Sequence, residues 1–220
     1  MFERDIISQL AAWKTDTNRK PLVVHGARQV GKTWTLKYFG REYFDDVAYF
    51  SLDKDESGLC DVFRTTKDPQ RIIQHLSFLH GKKIEPQTTL LILDEIQECN
   101  EALNALKYFC EEAPEYAVAC AGSLLGIYLN HVGKSFPVGK VNHLYMYPLT
   151  FTEFLRTKDP VMHEYMHSID KVEPLPQIFF DKLRESFTAY SICGGMPEPA
   201  TLMVDFNDME RVDSALQDIL

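Results

Sequence analysis

Gly26-Ala-Arg-Gln-Val-Gly-Lys-Thr33 is the stretch of sequence that decides the fold. It matches the pattern G-x-x-x-x-G-K-[ST] in full, and it follows an apolar run from Pro21 to His25 and precedes a helical pattern. Glycines at both ends let consecutive backbone N–H groups turn toward one point, and the N-terminus of the next helix adds further free N–H groups. The alternative is a turn with a chance Lys-Thr pair, which the strand-loop-helix context disfavours. The stretch therefore predicts a phosphate-binding loop.

Each residue type in this loop has an expected task. The Lys32 ammonium is expected to reach the β- and γ-phosphates, and the Thr33 hydroxyl is expected to bind Mg²⁺. The residues predicted to contact the nucleotide are Gly26, Arg28, Gln29, Val30, Gly31, Lys32, Thr33 and, at the start of the helix, Trp34.

A second motif, Leu90-Leu-Ile-Leu-Asp-Glu95, predicts a buried strand that ends in two carboxylates. We expect this strand to lie beside the strand of the phosphate loop, which would bring Asp94 to the metal. Glu95 would then orient and polarise the attacking water. Such acidic pairs also occur where a loop simply begins, so the prediction depends on the phosphate loop that precedes it.

A polar residue ends the next predicted strand at Ala121-Gly-Ser123. Ser123 can contact the γ-phosphate or the lytic water, or it can cap a following helical turn, and the sequence leaves both open. With the first of these, the predicted catalytic residues are Glu95, Lys32 and Ser123. The guanine-reading pattern Asn-Lys-x-Asp does not occur. The expected cofactors are therefore ATP and Mg²⁺.

Strands and helices alternate along the chain, which is typical of parallel β-α-β units. We predict an α/β fold with a three-layer P-loop core at residues 1–150 and a mostly helical lid or linker at 151–220. The predicted strands are 21–25, 47–52, 88–93 and 116–121, with a β-rich stretch at 138–147. The predicted helices are 2–13, 32–40, 69–80, 101–113, 150–156, 176–190 and 208–220.

Composition limits the class of protein. Of the 220 residues 45% are hydrophobic, but the apolar runs are far shorter than the ~20 residues that cross a bilayer. The charged start, Met1 to Asp5, does not fit a secretory signal, so we expect no membrane association and a cytoplasmic location. The net charge of -9 disfavours broad contact with nucleic acid. Five cysteines without a CxxC pair are expected to be buried free thiols.

Three histidines are further candidates for site residues. His163 and His167 have a spacing compatible with a metal site, but no third ligand of matching character lies nearby, so a solvated pair in a loop is expected. His25 is expected to be a packed strand residue rather than a catalytic base.

Several segments resemble one family, the AAA-superfamily ATPases of bacteria and archaea that carry a C-terminal domain of unknown function. The matching segments are Gly26-Ala-Arg-Gln-Val-Gly-Lys-Thr33, Leu93-Asp-Glu-Ile-Gln97, Ala121-Gly-Ser-Leu-Leu125, Tyr147-Pro-Leu-Thr-Phe-Thr-Glu-Phe154 and Gly194-Gly-Met-Pro-Glu198. The resemblance implies an AAA-like ATPase core, a helical lid and, in full-length members, a further C-terminal domain, which we expect to be missing from this sequence.

This sequence departs from the family at Gly139-Lys140, where the family usually has Gly-Arg. A lysine there keeps the charge but loses the planar fork of the guanidinium. The resemblance also implies an arginine finger, which often comes from a neighbouring subunit and is compatible with an oligomer. The candidates in this sequence, which leaves the choice open, are Arg28, Arg41, Arg64, Arg71 and Arg156.

The predicted function is hydrolysis of ATP coupled to movement of an attached domain or a protein partner. One alternative is a nucleotide-dependent switch that hardly turns over. A second alternative is an ATPase that handles DNA, against which the acidic balance argues mildly.

Overall fold

The computed structural model describes residues 2–53, 58–123 and 139–219. Within these ranges all strands are parallel and form one sheet in the order β2-β3-β4-β1-β5. The strands are β1 (Leu22–Gly26), β2 (Asp46–Ser51), β3 (Thr89–Asp94), β4 (Ala117–Ser123) and β5 (Asn142–Tyr145). Leu124, Leu125, Val138 and the helical turn predicted after Ser123 lie outside the described residues. The predicted α/β class is confirmed.

The predicted neighbour of the phosphate-loop strand is wrong. β4 lies between β1 and β3, with Gly26 opposite Ser123 and Leu93 opposite Cys120. Each connection between parallel strands carries the chain back to the amino edge of the sheet. Such a crossover can pass over the position of a neighbouring strand. Adjacent motifs in sequence therefore need not lie on adjacent strands.

By its internal contacts the chain divides into two compact units, which are Ile6–Met146 and the combination of Met1–Asp5 with Tyr147–Leu220. The unit boundary thus falls at Tyr147, and the first five residues are grouped with the C-terminal part. The role of residues 151–220 as a lid or linker stays a prediction.

The unit Ile6–Met146 contains the sheet and its helices. The helices are α1 (Ile6–Thr15), α2 (Lys32–Tyr43), α3 (Leu59–Thr65), α4 (Pro69–His80) and α5 (Asn100–Glu112), with a 3₁₀ turn at Ile96–Glu98. α2 packs on one face of the sheet, where Gly40 lies against side chains of Val47 and Leu90. The opposite face carries Leu91 and Leu93 in a core shared with α3, α4 and α5. Every residue of β3 is buried, as expected for a strand covered on both faces.

The second unit is helical in its described part. Its helices are α6 (Phe151–Lys158), α7 (Pro160–Ser168), α8 (Gln177–Cys193), α9 (Pro197–Phe206) and α10 (Met209–Gln217). The buried guanidinium of Arg4 pairs with Glu153 at 3.1 Å. Glu153 also completes a capping box with Thr150 at the start of α6. One carboxylate therefore ties the N-terminal residues to α6 and begins that helix.

Two segments of the family resemblance meet in this unit. The backbone N–H of Leu149 donates to the carbonyl of Gly195 at 2.7 Å, and the Tyr190 hydroxyl donates to the carbonyl of Leu149 at 2.7 Å. Gly195 has a φ of 72°, and a Cβ there would lie 2.6 Å from the Leu149 carbonyl oxygen. A glycine is required where these two segments touch.

Two expectations from the sequence are corrected. Residues 160–168, expected as loop, form α7, because Asp159 caps a helix that begins with Pro160, as Asp68 does before Pro69. The histidine pair of this stretch, His163 and His167, therefore lies on a helix. Cys60 and Cys99 form a disulfide, whereas Cys110, Cys120 and Cys193 are free as expected. No helix in the described ranges is long and apolar enough to span a bilayer.

Candidate functional site

The phosphate loop joins β1 to α2 at the carboxyl edge of the sheet. Gln29 and Gly31 have positive φ angles of 61° and 92°, and the buried Val30 anchors the loop between them. Left-handed residues alternating with ordinary ones turn successive backbone N–H groups to the same side. Ala27, Arg28 and Gln29 are exposed. The loop geometry thus matches an anion-binding nest.

Gly26 is required for a steric reason as well. Its φ is 155°, and a Cβ at this position would lie 2.3 Å from the backbone oxygen of Met146. That oxygen belongs to the segment that follows β5, whose Met146 N–H donates to the His25 carbonyl at 2.8 Å. The first glycine of the motif therefore lets the chain after β5 pass close to the start of the loop.

Lys32 is the first residue of α2 and is 7% exposed. Its ammonium donates to the carbonyl oxygens of Gly26 at 2.9 Å and Ala27 at 2.6 Å. Burial lowers the pKa of Lys32, while the carboxylates of Glu95 and Asp94 act in the opposite direction. The loop carbonyls and the acidic pair together keep this cation within the loop.

The hydroxyl of Thr33 joins the two sequence motifs. It donates to Oδ2 of Asp94 at 2.7 Å, although the two residues are 61 positions apart in the chain. Asp94 is 5% exposed, and its Oδ1 accepts the backbone N–H of Glu95 at 3.1 Å. A hydroxyl and a carboxylate side by side offer the hard oxygen atoms that Mg²⁺ prefers, with few protein ligands, as is usual for this ion beside phosphates. The residues present therefore fit the predicted metal.

Tyr49 on β2 also contacts this carboxylate, and the sequence motifs do not include it. Its hydroxyl donates to Oδ2 of Asp94 at 3.0 Å. Burial, followed by the nearby Asp94 carboxylate, raises the pKa of Tyr49 to about 12. The sequence offered one signal for this contact, which is that side chains along β2 alternate between the two faces of the sheet. Once the pairing of β2 with β3 is known, this alternation places Tyr49 on the same face as Ile92 and Asp94.

Glu95 adopts a left-handed backbone conformation, with φ 49° and ψ 47°, directly before the 3₁₀ turn. Its Oε2 accepts the Gln97 amide at 2.6 Å, the Ser123 hydroxyl at 3.2 Å and the Ser123 N–H at 3.4 Å. The structure thus brings Ser123 to Glu95. Whether Ser123 also caps a following turn stays open, because the next residues lie outside the described ranges.

Gln97 is the second residue that motif reasoning did not assign. Gln97 is only 8% exposed, and its buried Oε1 has no hydrogen-bond partner among the residues that the structure describes. The resemblance included Gln97 as part of Leu-Asp-Glu-Ile-Gln, which was the one signal available. Its contact with Glu95 depends on the tight 3₁₀ turn Ile96–Glu98, which the sequence pattern did not predict.

His25, the last side chain before the loop, belongs to a small aromatic cluster on β1 and β5. Its Nε2 lies 2.8 Å from Nδ1 of His143, and its ring stacks on Tyr145 with 4.9 Å between centroids. Burial, and secondarily His143, lower the pKa of His25 to about 4. This placement agrees with a packed strand residue that stays neutral near pH 7.

Other candidates lie apart from the acidic pair. Trp34 is 41% exposed, and its ring stacks on Tyr38 one turn along α2. Lys140 precedes β5, so it lies at the amino edge of the parallel sheet, opposite the phosphate loop, and pairs with Glu111 at 2.8 Å. The structure therefore gives no support to a phosphate contact by Lys140. The nucleotide contacts predicted for Arg28, Gln29 and Trp34 stay predictions.

One family of known proteins matches most of this chain. The AAA domain family matches residues 18–155, which is more than half of the chain. No curated protein matches the sequence.

Among solved structures, PCH-2 of C. elegans is 12% identical, with a TM-score of 0.48 over 96% of this chain and 68% of its own. AMPPCP-bound DnaA of Aquifex aeolicus is 15% identical, with a TM-score of 0.39 over 97% of this chain and 64% of its own. This chain thus spans about two thirds of the length of these structures. On the match of the family over residues 18–155, the chain belongs to the AAA domain family of P-loop ATPases, which bind nucleotides.

Proposed function

We propose that this chain hydrolyses ATP with the help of Mg²⁺ and uses the cycle to move an attached domain or a protein partner. The observation that carries the proposal is the 2.7 Å hydrogen bond between Thr33 and Asp94, which unites the phosphate loop with the acidic motif. Chance matches to two separate motifs would not be expected to meet in one hydrogen bond at one edge of a sheet.

Phosphate charge is neutralised by the loop. The N–H groups around Gln29 and Gly31 form an anion nest, and the ammonium of Lys32 lies within the loop on two carbonyl oxygens. Thr33 and Asp94 would hold Mg²⁺, which supplies charge neutralisation and orientation of phosphate oxygens when bound. Both functions require no covalent chemistry from the protein.

Glu95 handles the attacking water. A carboxylate that accepts a hydrogen bond from water orients it and can take a proton as the new bond to phosphorus forms. Ser123 lies within hydrogen-bond distance of Glu95 at the end of β4. It can therefore link a contact with the γ-phosphate to the position of Glu95.

A second candidate is a switch that binds ATP but scarcely hydrolyses it. It is favoured by the three donors on Oε2 of Glu95, since each competes with water for the same carboxylate oxygen. In that case the bound state itself, rather than turnover, would shift the population of conformations.

Nucleotide binding is tested first, by titration with a fluorescent ATP analogue. Lys32→Ala removes a cation from the phosphate loop and is expected to weaken binding about 10- to 100-fold, the equivalent of one charge-assisted hydrogen bond. Lys107→Ala, at an exposed lysine of α5, is the matched control and should bind as the wild type does. Undiminished binding by Lys32→Ala would contradict the proposed site.

Turnover separates the two candidates. Glu95→Gln keeps the shape of the side chain but cannot take a proton, so phosphate release should fall by about 10²- to 10⁴-fold while nucleotide binding stays intact. Glu112→Gln, at an exposed position of α5, should leave the rate unchanged. Equal and negligible rates in the wild type and Glu95→Gln would reject hydrolysis and favour the switch.

The coupling to movement needs a separate measurement. Hydrogen exchange of amides in residues 147–219 should differ between the ATP-bound and ADP-bound protein if the cycle moves a domain or a partner site. Identical exchange in both states would reject coupling within this chain, whatever the rate of hydrolysis.

A further inference from the structure

Tyr49 reaches the site from a strand that no nucleotide motif includes. β2 pairs with β3 in register, so Tyr49 lies beside Ile92, two residues before Asp94 and on the same face of the sheet. This position lets the phenol extend along the sheet to the end of β3, where its hydroxyl meets Oδ2 of Asp94 at 3.0 Å.

The hydrogen bonds that the Asp94 carboxylate accepts indicate the role of the Tyr49 hydroxyl. Oδ2 accepts two donors, the hydroxyl of Thr33 at 2.7 Å and that of Tyr49 at 3.0 Å. A carboxylate oxygen has two lone pairs, so these donors use the acceptor capacity of Oδ2. Oδ1 accepts the N–H of Glu95 and keeps one further lone pair. These contacts fix the plane of the Asp94 carboxylate. They leave Oδ1 as the oxygen that can accept a further contact.

The ring of Tyr49 is itself held in place. The ammonium of Lys37 lies 3.3 Å from the centre of the ring, a cation–π contact from α2. α2 is also the helix that begins with Lys32 and Thr33. Tyr49 therefore connects the helix of the phosphate loop to the carboxylate at the end of β3.

We propose that Tyr49 is a positioning residue for Mg²⁺: it orients Asp94 so that the carboxylate, together with Thr33, presents its oxygen to the metal or to a water bound to it. The inference rests on the proposed function, because it assigns a role within the same Mg²⁺–ATP site. Partners that orient a metal-binding side chain typically change metal affinity by about 10- to 100-fold when removed.

The test is Tyr49→Phe, which keeps the ring under Lys37 and removes only the hydroxyl. The half-saturating Mg²⁺ concentration for binding of a fluorescent ATP analogue should rise about 10-fold, while affinity in EDTA should stay that of the wild type. Tyr43→Phe, at an exposed tyrosine of α2, is the matched control and should shift neither value. Lys37→Met, which removes the cation but keeps the phenol, should raise the Mg²⁺ requirement by a smaller factor.

Two outcomes would overturn the inference. An unchanged Mg²⁺ requirement in Tyr49→Phe would show that the hydroxyl does not position Asp94. Equal losses of affinity with Mg²⁺ and in EDTA would show that Tyr49 supports the fold alone. Either result leaves the proposed function standing if Lys32→Ala loses nucleotide and the wild type requires Mg²⁺. A wild type that binds nucleotide equally with and without Mg²⁺ would instead reject the metal part of the proposed function.

Discussion

Removal of the Gln97 amide should slow hydrolysis without weakening nucleotide binding. The amide donates to Oε2 of Glu95 at 2.6 Å, the shortest of the contacts that this oxygen receives from Gln97 and Ser123. Both partners are largely out of solvent, and Glu95 leaves β3 in a left-handed conformation that gives the side chain an unusual starting direction. The amide therefore restricts which rotamers Glu95 can adopt.

The magnitude follows from the type of bond. A hydrogen bond to a charged group is worth about 1.5–3 kcal/mol, and the two contacts from Ser123 retain part of the restraint. The lower half of that range is therefore appropriate, which corresponds to a loss of about 10- to 50-fold in rate if all of it is expressed in the transition state.

The assay is steady-state phosphate release by Gln97→Met, which keeps the length of the side chain. We expect kcat to fall about 10-fold or more with KM for ATP unchanged, since the lost interaction acts on Glu95 and not on the nucleotide. Gln177→Met is the matched control, because its amide also donates to a carboxylate, that of Asp181 at 3.1 Å, but on an exposed surface of α8. A kcat within twofold of the wild type, with Glu95→Gln inactive, would refute the reasoning. An increase in kcat would show that Gln97 restrains Glu95 in an unproductive position.

Three further predictions concern stability, nucleotide binding and pH. Arg4→Met removes the ion-pair partner of the buried Glu153 carboxylate and should cost about 3–5 kcal/mol in urea denaturation, whereas the exposed Arg184→Met should cost under about 0.5 kcal/mol. Equal losses in the two variants would contradict this prediction. Gly26→Ala places a Cβ 2.3 Å from a backbone oxygen and should abolish binding of the ATP analogue in a titration, so retained binding would count against the close approach. His25 has a pKa lowered from 6.5 to about 4, so the unfolded chain takes up its proton first as the pH falls. Wild-type stability should therefore drop by about 1 kcal/mol, after allowance for solvent screening, between pH 6.5 and 4 in denaturant titrations, and His25→Phe should lack that drop.

The phosphate loop could be located from the sequence because its chemistry is local. The glycine positions, Lys32 and Thr33 lie within eight consecutive residues, and a strand before them and a helix after them can be recognised by pattern. The acidic pair Asp94-Glu95 could be located in the same way, because it directly follows an apolar run. That Thr33 and Asp94 would lie near each other could be expected from the general rule that parallel strands bring their carboxyl ends to one edge, but the hydrogen bond between them was not predicted.

Contacts between side chains on different strands could not be predicted from such local patterns. Tyr49 contacts Asp94 only because β2 pairs with β3 in one register, and a shift of that register by a single residue would turn the phenol to the other face. The periodicity of β2 carries no information about its register with β3. The helix α7 was missed for another reason: its Asp159–Pro160 start repeats the one before α4, but its helical sequence has only Met162 buried. The capping signal of α7 was clear, but its apolar pattern was too weak to predict a helix.

The position of β4 explains why Ser123 lies between the phosphate loop and the acidic pair. Had β3 paired directly with β1, Ser123 would end an outer strand, and nothing in the register would bring it to Glu95. With β4 between them, Ser123 lies opposite Gly26 on one side, and on the other side its strand pairs with β3 up to Leu93, the residue before Asp94. The serine is thus the one side chain in the described sheet that ends a strand between the phosphate loop and the acidic pair. A change in its contacts at the loop would be felt at Oε2 of Glu95, 3.2 Å from its hydroxyl. In the function proposed above, the order of the strands, more than any single motif, would let the state of a phosphate bound at the loop reach Glu95.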